Sequence, residues 1–194
     1  MATISRTGFG QVEPNHLSMQ KTGQIYAQLP AADNITILEN GQFAKYDYAN
    51  NVVNFTGKGE WMMVFNEVKL YDDAWRESYK DVAMIKDNYT PGSTITHDGL
   101  GPFKGQMVPR LVKINIGDIY TTNCIAKANT TGKAVIGDAT DPDTADFALN
   151  VGDVVSPRAT GYLATDGDGT IKLQVIKVYT MPDGQPAVKL MRIA

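Results

Sequence analysis

Residues 170–193 read TIKLQVIKVYTMPDGQPAVKLMRI. Ile171, Leu173 and Val175 alternate with Lys172 and Gln174, the period of two expected of a half-buried strand. At Val175-Ile176 the phase shifts, as it does at a β-bulge. Pro182-Asp183-Gly184 then supplies an explicit turn: proline presets its own φ, and glycine accepts a positive one. The run PAVKLMRI returns from it. Two strands around a short turn predict an antiparallel hairpin.

Working toward the N-terminus, the pattern apolar-Gly-Asp-apolar occurs at IGDIY (116–120) and again at VGDVV (151–155). Glycine takes a left-handed turn conformation, aspartate bonds the backbone beside it, and a strand begins. One turn used twice in a β-structure is the expectation. In QFAKYDYA (42–49), Ala44, Tyr46 and Tyr48 share a face opposite Lys45 and Asp47, again period two. The turns flanking it are ENGQ, with the Asn40-Gly41 pair of tight hairpins, and YANN. GEWMMVFNEVKLYDD (59–73) is apolar on both faces through Phe65 and on one face beyond, which predicts a strand leaving a two-layer core. DDAWRESYKDVAMIKDN (72–88) is the best helix candidate, with Trp75, Tyr79 and Val82 at i, i+4 and i+7, although YKDVAMIK also fits a strand. The Gly- and Pro-rich stretch at about 88–106 predicts a long loop. The fold expected is mostly β, a β-barrel or β-sandwich with at most one short helix.

Residues 1–30 differ in composition. Within Ser5–Gln24 only Phe9, Val12, Leu17 and Met19 are large and apolar, and only three residues carry charge. That is too little for a core and too little charge for a solvated tail. An extended N-terminal arm (1–30) in front of a β-rich domain (31–194) is expected. Fully extended, thirty residues reach up to about 100 Å.

Eighteen basic and twenty-one acidic residues leave a net charge of −3, which provides no drive toward nucleic acid or an anionic membrane. No apolar run is long enough to span a bilayer, and the first residues lack the apolar stretch of a secretory signal, so a soluble protein made in a cytoplasm is expected. A lone cysteine, Cys124, excludes a disulfide framework within the chain.

The search for chemistry is short. His16 and His97 have no second ligand at metal spacing, and Cys124 reads as a small buried residue. A Cys124–His97 pair, or two carboxylates converging in a cleft, is what an enzyme would need. GDATDPDTADF (137–147) and TDGDGT (165–170) carry spaced aspartates but no Glu at the end of a calcium loop. Both read as turns, with a loop-bound Ca²⁺ as the open alternative. The aromatics Tyr46, Tyr48, Trp61, Phe65, Tyr71, Trp75 and Tyr79 read as packing, with a sugar-binding strip as the alternative. Neither an active site nor a cofactor or metal site is expected.

GEWMMVFNEVKLYDD, MVPRLVKINIGDIYTTN and YTMPDGQPAVKLMRIA, with the opening MATISRTGFGQVEPNHLS, resemble structural proteins of tailed-bacteriophage heads. The resemblance covers most of the chain and implies a role similar to capsid decoration (cement) proteins. These are β-rich, non-enzymatic subunits that sit on a virion shell and brace their neighbours. It implies the major capsid protein and further copies of this chain as partners, and a location on the capsid surface. A glycan- or receptor-binding β module of the virion, in a head fibre or tail component, is the alternative. Apolar residues in segments with little core of their own are the expected protein contacts: Phe9, Val12, Leu17, Ile25 and Tyr26 in the arm, Trp75 and Phe103 beyond it.

Overall fold

Leu173–Thr180 and Pro186–Arg192 pair antiparallel, Leu173 opposite Arg192 and Thr180 opposite Pro186, with the register shift between Val175 and Lys177. The hairpin and its bulge therefore form as the alternation requires. They belong to a computed structural model that describes residues 3–5, 10–22, 29–66, 83–85, 107–126, 146–180 and 186–194.

In chain order the strands are Thr3–Ser5 (β1), Val12–His16 (β2), Ile37–Glu39 (β3), Phe43–Asp47 (β4), Val52–Asn54 (β5), Met62–Val64 (β6) and Ala83–Ile85 (β7). They continue with Leu111–Val112 (β8), Ile119–Thr122 (β9), Asp146–Ala148 (β10), Val154–Pro157 (β11), Leu163–Ala164 (β12), Leu173–Thr180 (β13) and Pro186–Arg192 (β14). The single helix among the described residues is the short Ser18–Thr22 (α1). The chain is mostly β, with two main antiparallel sheets. One runs β12-β11-β13-β14-β9-β2 and the other β5-β4-β6-β8, with small ladders β1-β10 and β3-β7 beside them.

The barrel alternative is corrected, because the six-stranded sheet does not close. Beyond β9 the amide of Ile125 donates back to the carbonyl of Asn123, a tight turn that stops the strand. The chain then meets β12 through one parallel bridge, Ile125 to Leu163, instead of a ladder.

The main core holds residues of both sheets: Phe43, Met63 and Val112 from the four-stranded one, Tyr120, Val155, Leu173, Val175, Val188 and Leu190 from the six-stranded one. A second cluster, with Ala44, Tyr46, Val53, Met62, Val64 and Leu111, takes the opposite face of the four-stranded sheet. Both faces of β6 are thus buried, as its unbroken apolar run predicts.

The two Gly-Asp turns are one structure used twice. The amide of Asp118 donates to the carbonyl of Asn115, and the amide of Asp153 to that of Asn150. Each aspartate carboxylate accepts in return from the amide of its own asparagine. Gly117 and Gly152 sit at φ 90° and 101°. Beyond the turn, Gly117 N–H and Asp118 C=O bond Arg192, while Gly152 N–H and Asp153 C=O bond Val175. The first copy launches β9 along β14 and the second launches β11 along β13.

Asn40-Gly41 turns the chain, but not as a two-strand hairpin. Gly41 alone has positive φ (88°), and the amide of Gln42 closes the turn on Glu39. A type I′ hairpin turn needs both central residues there and a type II′ turn needs the first, which here is Asn40. The turn instead sends β3 to pair with β7 and β4 to pair with β5 and β6. YANN does close a hairpin, with Asp47 opposite Val52. Within the helix candidate, Ala83–Ile85 is strand, because Ile37–Glu39 offers it a ladder. Its residues 72–82, like the loop expected at 88–106, lie outside the described residues.

Candidate functional site

Seven polar or charged residues are buried among the described residues: Glu39, Gln42, Asp118, Thr121, Thr122, Asn123 and Ser156. Five of these seven bond residues 10–18. Glu39, at 0% exposure, accepts the Gly10 amide on Oε1 (3.0 Å) and the Tyr162 hydroxyl on Oε2 (2.7 Å). Asn123 Oδ1 accepts the Gln11 amide at 2.7 Å, and the Thr122 hydroxyl donates to the Gln11 carbonyl at 2.6 Å. The Thr121 hydroxyl donates to Asn15 Oδ1 (2.7 Å) and lies 2.5 Å from the Tyr179 hydroxyl. Tyr179 donates in turn to Glu13 at 2.7 Å. Burial and the nearby Glu13 carboxylate push the Tyr179 hydroxyl pKa above its usual value. Asp118 accepts the Ser18 amide at 2.9 Å and the Ser18 hydroxyl on the same oxygen.

β2 lies in this seat as the outermost strand of its sheet, antiparallel to β9, with Val12 opposite Thr122 and His16 opposite Ile119. The pairing shifts register between Pro14 and His16. A proline and a bulge in an edge strand discourage further strands from adding outside it. Gly10 passes so close to the turn after β3 that a Cβ there would stand 2.6 Å from the Asn40 carbonyl oxygen. Leu17, 2% exposed, enters the main core, and Val12 and Met19 pack against it.

Two of the expected arm contacts, Val12 and Leu17, lie among the described residues. Val12 and Leu17 have a home in their own chain, because the backbone of residues 12–16 completes the β9 edge and Leu17 fills the core beneath it. Phe9, Ile25 and Tyr26 of the expected arm, and Trp75 and Phe103 beyond it, lie outside the described residues. What reading the sequence missed was Glu39, Thr121, Thr122 and Asn123. Their only signal was polar residues standing where strand periodicity calls for apolar ones.

A second polar knot joins the two sheets. Trp61 Nε1 donates to Asp168 Oδ2 at 2.5 Å, and the Lys45 ammonium lies 4.3 Å from the Trp61 ring centroid and 3.9 Å from that same oxygen. Partial burial pushes the Asp168 carboxyl up, but the Trp61 indole, Thr170 and Lys45 hold it below its usual value. Asp166, in the same loop, takes a two-pronged bond from Arg158, Nε and Nη2 each at 2.7 Å. Both aspartates of TDGDGT therefore serve protein donors, and the loop is a structural turn. No group of three metal-ligating side chains occurs among the described residues. Of the 137–147 segment, residues 137–145 lie outside them.

Tyr46 and Trp61, at 1% and 3% exposure, are core residues and present no strip to a sugar, whereas Tyr48 is 62% exposed. Cys124 is fully buried, and its amide donates to the Thr122 hydroxyl. His97 lies outside the described residues. No helix among the described residues is long and apolar enough to cross a membrane. No known protein family, curated protein or solved structure matches the chain.

Proposed function

We propose that the chain is a non-enzymatic structural protein of a virion, a decoration subunit that stabilises a tailed-phage head by bridging the major capsid protein and its own neighbours. One observation carries the structural reading. Five of the seven buried polar side chains among the described residues, which in an enzyme would converge on a cleft, here bond backbone and side chains of one segment of the chain. Asp166 and Asp168 are likewise engaged by Arg158, Trp61 and Thr170. Such chemistry holds parts together and leaves little to act on a substrate. The phage-head setting comes from the resemblance of the three quoted stretches. A β-sandwich, with the main core between the two sheets, is the finer form of the fold this reading takes, and it offers rigid faces suited to repeated contact. The glycan-binding alternative is weakened by the burial of Tyr46 and Trp61.

The test is to mix the purified protein with phage heads stripped of accessory proteins, sediment them, and follow shell disruption on heating. Co-sedimentation at fixed stoichiometry with a higher disruption temperature is expected. A folded protein that stays in the supernatant across all heads tried overturns the proposal.

A further inference from the structure

Among the described residues, five of the seven buried polar side chains lie beneath residues 10–18. An apolar strand pulled from its place exposes surface that water cannot satisfy. A strand held through hydrogen bonds leaves donors and acceptors that water satisfies at once. The seat of β2 is of this second kind, with carboxylate, amide and hydroxyl groups from Glu39, Asp118, Asn123, Thr121 and Thr122, and Leu17 as the one fully inserted apolar anchor. It is a buried bed of hydrogen-bonding groups and not an apolar core. It also recognises backbone, as a peptide-binding groove does: the Gly10, Gln11 and Ser18 amides and the Gln11 carbonyl are all met by side chains.

We propose that residues 10–22 exchange between copies of this chain, the seat of one copy holding the segment of the next. The occupant is set by sequence matching. A residue with a side chain at position 10 meets the Asn40 carbonyl, Glu13 completes the Tyr179 hydroxyl, Ser18 meets Asp118 with both its amide and its hydroxyl, and Leu17 fills the core. The segment that fits best is the identical one from a second copy, and every bond made within a chain re-forms between chains. The inference rests on the proposed bridging role, to which it gives a physical link: each subunit lends a strand to its neighbour, and many such links along a shell act together.

The test uses full-length chains. His16 and Ile119 face each other in the β2–β9 ladder and take no part in the seat's side-chain bonds. Two variants, both carrying Cys124→Ala, one with His16→Cys and the other mass-tagged with Ile119→Cys, are mixed and mildly oxidised, free and on heads. A single chain with both cysteines serves as the control that the pair can bridge. Exchange yields a covalent heterodimer of the two distinct masses. Closure of the double variant within one chain, with no heterodimer from the mixture in either setting, overturns the proposal. Should the pair not bridge at all, a fluorescent synthetic peptide of residues 10–22 added to the wild-type chain decides. Saturable binding supports exchange, and its absence overturns it. Heterodimers without head binding would leave exchange standing and remove the decoration role, whereas head binding without heterodimers would remove exchange alone.

Discussion

β9 has a neighbour on each side, and the two are held differently. On one side β14 places Val188 and Leu190, both fully buried, in the main core, Val188 opposite Thr122 and Leu190 opposite Tyr120. On the other side β2 makes a ladder against the same residues, Val12 opposite Thr122 and Pro14 opposite Tyr120, yet it is fastened largely by polar side chains. Both are antiparallel ladders, that of β2 interrupted by Pro14 and its register shift, and the larger difference lies in what stands behind them. β14 is part of the core that defines the domain. β2 is a strand docked onto it, and its stability should be local.

The largest effect is expected on the β14 side. Leu190→Ala removes a core side chain and should lower global stability by about 2–5 kcal/mol, read as a fall in Tm with one cooperative transition. Glu39→Gln comes next. It turns one of two acceptor oxygens into a donor facing Gly10 N–H or the Tyr162 hydroxyl, a loss of about 1–3 kcal/mol. Here hydrogen exchange is the sharper measurement: amides of residues 12–16 should open well before those of β14. Equal acceleration in both strands would break the comparison. Gly10→Ala, pressed on the Asn40 carbonyl, should produce the same local opening at about 1–3 kcal/mol, with Leu190's surroundings unchanged. Tyr179→Phe removes the hydroxyl between Thr121 and Glu13 and should loosen β2 by about 1 kcal/mol.

The smallest effect concerns pH. Because the folded-state pKa of Asp168 is lowered, its contribution is present above the ordinary aspartate pKa and fades as pH falls through the lowered value. The carboxylate is partly exposed, and solvent screening keeps the contribution small. Asp168→Asn should lower Tm slightly above the ordinary aspartate pKa and leave it nearly unchanged below the lowered value, so that the acid limb of the profile of Tm against pH flattens. An unaltered acid limb would show that the Trp61–Lys45 clasp has no energetic share in joining the sheets.

How far the chain could be read in advance follows the range of the interactions. The β13–β14 hairpin, its bulge and the twin turns at 115–118 and 150–153 were legible, because each depends on residues within one short window. Asn40-Gly41 was legible as a turn but not as a change of sheet, since the partners of β3 and β4 come from far along the chain. Leu17 was legible as an apolar residue in need of a pocket. That the pocket lies in its own domain was not legible, because Asp118, Asn123 and Thr122 are about a hundred positions away.

The sequence by itself determined that this is a β-rich chain, where its turns fall, and which residues alternate toward a core. Period-two patterning and glycine turns act locally and need no knowledge of the rest. Only the tertiary structure decided which strands neighbour which, that the sheet stays open, and that a poor, weakly apolar N-terminal stretch lies on a bed of buried polar groups. Such a bed exists only when distant segments meet, and a carboxylate such as Glu39 can remain buried only where another segment brings it donors.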